Sequence, residues 1–337
     1  MKHLLTIILA AFVLLGNTSC QYFVNKATQT DPSTISGKQG DVLVVINKDY
    51  WDSPLGQMIR DSLQTPYPML PQAEPQFKVS HVASSGFTSM FQIQRNIIRV
   101  DINPSNINKV TYRKNVWATP QCVIDIKAED YSNAEELFRT NASQIANVIE
   151  GHERERIISN NNRYSSASIE HEVNQMFGGS PVFPKETKIY SKGDDYMWIA
   201  TCNTDYIKQY ILIYKYPVEK GVDMMSESSL VGNNLKAVNS YIPGTREGSY
   251  MTHSKYISPS VEYLKYNNRN FAEIRGLWEL ENDYMGGPFV CHVMYSPDGK
   301  YMIGIEGFVY APKFDKIQYM RAVEAVVYSF KWQGSDK

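Results

Sequence analysis

The strongest constraint on the fold is a hairpin signal near the carboxy terminus. Two runs rich in apolar and aromatic residues, 289–295 and 301–310, flank the tetrapeptide Ser296-Pro297-Asp298-Gly299. Proline suits the second position of a type I turn, and glycine tolerates the conformation that follows it. The tetrapeptide therefore predicts two antiparallel strands joined by a tight turn. We expect the second half of the chain to be built around an antiparallel sheet.

The remainder of the second half fits this expectation. Strands are predicted at 187–192, 196–202, 210–216 and 270–280, a helix at 226–241 and a closing helix at 315–330. Antiparallel strands with helices on one face are typical of the α+β class. The 23 tyrosines agree with strand-rich structure, although an aromatic binding face would also use them.

The first half mixes strands and helices. The predicted elements are a strand at 41–46, a helix capped at Asp52 or Ser53, strands at 77–82 and 96–102, a short helix within 103–115, a strand at 121–127, a long helix and a second helix at 168–177. Ser132 and Glu135 form a capping box for the long helix, which the asparagines at 160–162 are expected to break. The order of these elements predicts a ferredoxin-like arrangement for this half.

The amino terminus predicts export and lipidation. Leu4 to Leu15 is an unbroken run of 12 apolar or small residues. This run is shorter than the roughly 20 residues that span a bilayer, but it suits the apolar part of a signal peptide. Small residues precede Cys20, as lipoprotein processing requires, although Asn17 stands where an aliphatic residue is usual. The alternative is ordinary secretion with cleavage near Ser19.

These patterns divide the chain into four parts. They are a lipoprotein signal peptide at 1–19, a lipidated Cys20 with a flexible tether at 20–40, an α/β domain at 41–179 and an antiparallel α+β domain at 180–332. Position 21 is a glutamine and not the aspartate that retains lipoproteins in the inner membrane. It is not followed by an acidic cluster of the kind that directs some lipoproteins to the cell surface. We therefore expect the mature protein on the periplasmic side of the outer membrane, with its lipid as the membrane contact.

Composition and motifs exclude several classes of chemistry. The formal net charge is −1, from 34 basic and 35 acidic residues, so nucleic acid is not an expected partner. Phosphate-binding loops, serine-nucleophile motifs and zinc motifs are absent from the sequence, and we predict no metal and no cofactor. Cys122, Cys202 and Cys291 lie in apolar runs and are predicted to be buried thiols. The alternative is that two of them form a disulfide and leave the third as a free thiol.

Two candidate sites remain. Glu279 and Glu281 would share one face of a strand at a separation of about 7 Å, which is of the order that glycosidase carboxylates require. Paired glutamates on the solvent-exposed face of a strand are also common without catalysis.

The second candidate is a binding surface around a predicted loop at 284–289. It would comprise Trp117, Arg275, Trp278, Tyr284, Gly286 and Gly287. The alternative is that the glycines serve only the hairpin and the aromatics only the core.

Five segments taken together resemble a known family. They are 94–98, 115–121, 275–279, 285–289 and 306–312. With the lipoprotein signal in front, the chain resembles a family of Bacteroidota envelope lipoproteins defined by a domain of unknown function, DUF4837, over roughly residues 40–330. The resemblance implies an envelope location and carries over no functional residue.

The leading hypothesis is a non-catalytic binding or assembly module with a protein or glycan partner. One alternative is a periplasmic glycan hydrolase that uses Glu279 and Glu281. Another is a carrier for a small apolar ligand, which needs a deep pocket between helix and sheet.

Overall fold

The described residues begin ahead of the first predicted domain. The computed structural model describes residues 33–334, so the predicted signal peptide, Cys20 and tether residues 21–32 lie outside the described residues. Ser33–Thr34 pairs in parallel with Ala118–Thr119. The Ser36 amide donates to the Ile93 carbonyl oxygen at 2.8 Å. Residues 33–40, which we assigned to the tether, are therefore part of the folded body.

The first sheet has five strands, of which four are parallel. They are β1 (Asp41–Val45), β2 (Lys78–Val82), β3 (Asn96–Ile102), β4 (Lys109–Lys114) and β5 (Cys122–Ala128). Their order in the sheet is β2-β1-β3-β5-β4, and β4 is the antiparallel edge strand. A ferredoxin-like sheet is antiparallel, so the arrangement present differs from the one that we predicted. Long crossover connections allow the parallel pairing here.

One strand of this sheet replaces a predicted helix. We expected a short helix within 103–115, but Lys109–Lys114 is β4. Val110 and Tyr112 pack against the core of the first sheet at the spacing of two that a strand requires. The β-branched and aromatic residues of this segment favour a strand once a sheet edge is available.

Two helices cover one face of the first sheet. They are α1 (Pro54–Leu63) and α2 (Tyr131–Arg163). The cap of α2 is Asp130, whose side chain accepts from the Asn133 amide, and not the predicted pair at Ser132 and Glu135. The helix also continues through the asparagines at 160–162, where we expected a break. Asn161 is buried, so tertiary packing outweighs the low helix propensity of asparagine here.

The second sheet has eight antiparallel strands. They are β6 (Lys188–Lys192), β7 (Tyr196–Asn203), β8 (Lys208–Pro217), β9 (Tyr250–His253), β10 (Ser260–Tyr266), β11 (Arg269–Glu281), β12 (Gly286–Tyr295) and β13 (Tyr301–Tyr310). The order is β9-β11-β12-β13-β8-β7-β6, and β10 pairs with another stretch of β11. The predicted hairpin between β12 and β13 is present. Strands β9 and β10 were not predicted.

Helices pack on both faces of the second sheet. One face contacts α3 (Ala167–Phe177) and α5 (Ile317–Tyr328). The opposite face contacts α4 (Glu227–Tyr241), so our expectation of helices on one face is wrong. The core of the second sheet includes α3, which lies ahead of the boundary that we placed between residues 179 and 180. The mixed α+β class is confirmed.

A seam of buried polar groups joins the two halves. The Arg321 guanidinium on α5 donates to both carboxylate oxygens of Glu150 on α2, at 2.8 and 2.7 Å. Tyr67 from the first half donates to Glu324 of α5 at 2.6 Å. The Glu74 carboxylate accepts from the backbone amides of Lys316 and Ile317, where α5 begins. In each of these hydrogen bonds the donor and the acceptor come from different halves. Buried polar groups of each half thus find their partners in the other, and the two halves pack together.

Within residues 33–334, no helix combines the length and the apolar character that crossing a bilayer requires.

Candidate functional site

Six of the predicted site residues line one open groove, which we call the hairpin groove. It lies at the turn between β11 and β12 and has a volume of about 690 Å³. The predicted residues that line it are Trp278, Glu279, Glu281, Tyr284, Gly286 and Gly287. Arg246, Lys255, Tyr256 and Asp283 complete its polar and aromatic wall, and Pro71 contributes from the first half.

The turn itself is shorter than the loop that we predicted. Asn282 adopts a left-handed conformation with φ of 63°. The Leu280 amide donates to the Met285 carbonyl oxygen at 2.9 Å, which closes the turn. Strand β12 begins at Gly286, so Gly286 and Gly287 are strand residues and not part of a ligand-binding loop.

Packing alone accounts for Gly287 and Trp278. A Cβ atom on Gly287 would lie 2.0 Å from the Val309 carbonyl oxygen on the neighbouring strand, which is inside contact distance. Trp278 is only 4% exposed, and its indole nitrogen donates to the same carbonyl oxygen at 3.2 Å. The structure thus favours the alternative in which this glycine and this tryptophan serve the core.

The exposed chemistry of the groove lies in two tyrosines and the charges beside them. Tyr256 and Tyr284 are 89% and 90% exposed. The Arg246 guanidinium lies 5.1 Å from the centre of the Tyr284 ring, within the range of a cation–π contact. Arg246 Nε also lies 3.6 Å from Asp283 Oδ1. A hydrogen bond from the Thr245 hydroxyl lowers the pKa of Asp283 below its ordinary value.

The two glutamates face the groove from β11. Both are partly exposed and lie on the same face of the strand, as predicted. The Glu281 carboxylate lies 2.8 Å from Lys255 Nζ, and this hydrogen-bonded partner raises the pKa of Lys255. Glu279 stands between Thr252 of β9 and Gly286 of β12 in the register of the sheet. The groove thus presents carboxylates, an ammonium group and a guanidinium group around two flat rings.

Two predicted binding residues lie elsewhere. Arg275 is part of the buried seam, where its guanidinium contacts Glu273 and Glu324. Trp117 packs on the outer face of the first sheet, with its ring centre 5.4 Å from that of Phe87. The six-residue binding surface predicted from the sequence therefore does not form as one site.

Sequence reasoning missed the part of the groove wall that lies just ahead of β10 in the chain. Arg246, Lys255 and Tyr256 belong to the segment between α4 and β10, for which we predicted no element. The Ser- and Pro-containing stretch at 254–259 indicates an exposed loop but not which part of the sheet it meets. Its position depends on β9, a strand of four residues.

The three cysteines of the folded body are free thiols. Cys122 and Cys291 are buried, as predicted, and Cys202 is half-buried. Burial raises the pKa of Cys122 to about 12, so this thiol stays protonated and unreactive at neutral pH. Across residues 33–334, no three side chains of the His, Cys, Asp and Glu types are grouped so that they could hold a metal ion.

Two family models match adjoining parts of the chain. Residues 166–329 match a domain of unknown function, DUF4837, which confirms the resemblance over that part. Residues 35–162 match a second domain of unknown function, DUF8532. The resemblance predicted a single family module over roughly residues 40–330. The two matches meet at the end of α2.

Comparison with other proteins adds no functional information. None of the curated proteins matches this chain. A crystal structure from Bacteroides thetaiotaomicron VPI-5482 aligns with 48% of this chain and 47% of its own length, at 10% identity and a TM-score of 0.26. The chain thus spans less than half of that solved chain, and a similarity at this level supports no argument about fold or function.

Proposed function

We propose that this chain, which matches the DUF4837 domain of unknown function over residues 166–329, is an outer-membrane lipoprotein whose body is a non-catalytic binding module of the cell envelope. The amino-terminal sequence supports the anchor. An apolar run of signal-peptide length precedes small residues and Cys20. Under this proposal the lipid on Cys20 holds the body on the periplasmic side.

The observation that carries the binding role is the pair of exposed rings in the hairpin groove. Tyr256 and Tyr284 each expose about nine-tenths of their surface beside Glu279, Glu281 and Lys255. Exposed aromatic area that is rimmed by polar groups marks binding surfaces. Flat rings contact the C–H faces of sugars, while carboxylates and cations bond their hydroxyl groups. A glycan strand is therefore the partner that the groove favours over a protein.

An apolar cargo has less support. The space between the second sheet and its helices is filled by buried side chains on both faces, Leu230 and Val238 of α4 and Val323 and Val327 of α5 among them. In the part of the chain that the structure describes, the hairpin groove is open to solvent and its wall mixes polar and apolar surface. Neither feature suits a small apolar ligand.

The proposal is tested by removing both rings. Tyr256→Ala combined with Tyr284→Ala should weaken binding to purified peptidoglycan sacculi or to an oligosaccharide array about tenfold, because two aromatic contacts contribute roughly 1–3 kcal/mol. The matched control is Tyr164→Ala with Tyr206→Ala, which removes two rings that are 55% and 54% exposed elsewhere. Equal binding by both double variants, or no binding by the natural protein to any glycan tested, would refute the glycan-binding role.

The same groove holds the residues of the hydrolase alternative. Glu279 and Glu281 both line it, which is the observation that keeps this second candidate. A hydrolase would release reducing ends from the bound glycan, and Glu279→Gln with Glu281→Gln would stop the release. The binding module predicts no release by either protein.

A further inference from the structure

A second cleft lies between the two halves, on another side of the molecule from the hairpin groove. We call it the asparagine cleft. Its volume is about 1040 Å³, slightly above the range of about 300–1,000 Å³ that is typical of small-molecule sites. Helix α2, the turn between β10 and β11, and the segment after α5 form its walls. The wall combines Arg269 with asparagines and aromatic side chains.

Arg269 forms part of the wall and is held rigidly. It is 8% exposed, and its guanidinium lies 5.0 Å from the centre of the Phe271 ring and 5.4 Å from that of Phe330. It donates to the carbonyl oxygens of Phe330 at 3.1 Å and Tyr328 at 3.3 Å. The Nε atom is buried and has no hydrogen-bond partner among the described residues.

The positive charge of Arg269 is not balanced by a direct carboxylate contact. Within residues 33–334 it forms no salt bridge, whereas the buried Arg321 and Arg275 both contact carboxylates. Backbone carbonyls at a helix end supply only a partial negative charge. Burial lowers the pKa of Arg269 to about 10, so the group remains a cation at neutral pH. An unbalanced buried cation is costly unless a ligand neutralises it.

The groups around Arg269 do not supply a negative charge that balances its guanidinium. A guanidinium can only donate, so the contact of 3.5 Å to His292 Nδ1 makes that nitrogen an acceptor. Burial lowers the pKa of His292 to about 4, and His292 Nε2 donates to Glu273. Glu155 at the rim is exposed and is paired with Lys114 at 3.3 Å. Arg154 adds a second cation, 3.5 Å from the centre of the Tyr328 ring.

The rest of the cleft suits a sugar. Four asparagines offer both donors and acceptors: Asn162, Asn267, Asn268 and Asn270, all exposed. Amide side chains pair well with hydroxyl groups because each carries donor and acceptor atoms. Tyr266, Tyr295 and Trp332 provide aromatic surface in the same wall.

From this combination we infer that the asparagine cleft binds an acidic sugar, with its carboxylate on Arg269 and its hydroxyl groups on the surrounding asparagines. This site is separate from the hairpin groove and does not depend on the function proposed there. The Nη1 atom carries two hydrogens and makes one hydrogen bond, to the Phe330 carbonyl oxygen, so it retains one donor for a charge-assisted bond to a carboxylate oxygen.

Titration calorimetry with matched ligands tests the inference on the natural protein. The probes are glucuronate, galacturonate, N-acetylmuramate and N-acetylneuraminate, and glucuronamide is the neutral partner of glucuronate. At least one acid should bind, and the amide of a bound glucuronate should bind about tenfold more weakly or worse, because a charge-assisted bond is lost. Absence of binding by all four acids, or equal binding of glucuronate and its amide, overturns the inference.

Variants locate the binding in the cleft. Arg269→Gln should abolish binding of the acid. Because Arg269 also bonds the end of α5, Ser159→Trp provides a second variant that blocks the cleft from the exposed face of α2. Its control is Ser143→Trp, an exposed position about 24 Å away along the same helix. Binding that persists in a folded Ser159→Trp protein, or is lost equally in Ser143→Trp, overturns the assignment to this cleft.

Discussion

Replacing Arg275 by methionine is expected to lower the free energy of unfolding by about 3–5 kcal/mol. Arg275 Nε donates to Glu273 at 2.6 Å, and its Nη1 atom contacts Glu324. The three side chains are 15%, 5% and 2% exposed. Methionine keeps the apolar length of the side chain but leaves two buried carboxylates without their shared cation. The loss is large because ions removed from water need a partner of opposite charge.

The ionisation of Glu273 depends strongly on the Arg275 guanidinium. Burial alone pushes the pKa of Glu273 up, but the Arg275 guanidinium and the hydrogen bond from His292 reverse this. The pKa of Glu273 therefore lies well below its ordinary value. Glu324 also accepts from Tyr67, so the same cluster links the first half to α5. Loss of Arg275 should weaken the seam as well as the second sheet.

Urea denaturation at pH 7 measures this effect. The control is Lys192→Met, which breaks the pair with Glu172 at 2.7 Å between side chains that are 53% and 41% exposed. That change should cost less than about 1 kcal/mol. Adding Glu324→Gln to Arg275→Met should recover part of the loss, since one uncompensated charge is removed. Equal losses for the arginine and lysine variants would show that the buried cluster does not hold the halves together.

The second large effect concerns Glu306, a fully buried carboxyl group on β13. Asn234 of α4 donates to one of its oxygens, and the other has no hydrogen-bond partner among the described residues. Burial raises the pKa of Glu306 from 4.5 to about 8. The folded protein therefore holds a proton here at neutral pH, because a charged carboxylate in this core would lack a counter-ion.

Stability should consequently fall as the pH rises. The unfolded chain loses this proton near pH 4.5 and the folded protein near pH 8. Between these values the folded state binds more protons, so the contribution of Glu306 to stability declines and then levels off above pH 8. Between pH 5 and pH 8 the decline amounts to about 3 kcal/mol. Glu306→Gln removes the titrating group and should remove this decline.

The measurement is the difference in unfolding free energy between Glu306→Gln and the natural protein at pH 5 and at pH 8. The difference should increase by about 3 kcal/mol in favour of the variant. Burial lowers the pKa values of His253 and His292 to about 4, which gives an opposite trend below pH 6.5, but both proteins share it. Glu262→Gln on the exposed side of β10 is the control and should show no change. Parallel stability curves for Glu306→Gln would contradict the buried protonated state.

The sequence predicts the pairing of strands in the second sheet better than the pairing in the first. The hairpin at 296–299 and the alternating runs beside it are local signals, and antiparallel neighbours need only a short turn. The first sheet pairs strands across long connections, and no local pattern gives their direction. Helix α2 passes through 160–162 because distant groups bury Asn161, which propensity does not include.

One turn of the second sheet has a clear sequence signal that our prediction missed. Asn267 and Asn268 have φ of 48° and 61°, and an Asn-Asn pair between strand-like runs favours the two-residue turn that joins β10 to β11. That pair would have predicted the hairpin and the position of Arg269. The seam gives no such signal, because Glu150 and Arg321 are 171 residues apart in the chain. A buried charge of this kind becomes visible only when its partner is known.

The most direct test of the proposed envelope role is the chemical state of the mature amino terminus. Mass spectrometry of the protein purified from the membranes of the cells that make it should find a chain that begins at Cys20. That cysteine should carry diacylglycerol on sulfur and an acyl chain on nitrogen, and Cys20→Ala should leave the precursor unprocessed. An unmodified amino end, or an intact leader on protein in the cytosolic fraction, would contradict the anchor and the envelope role that depends on it.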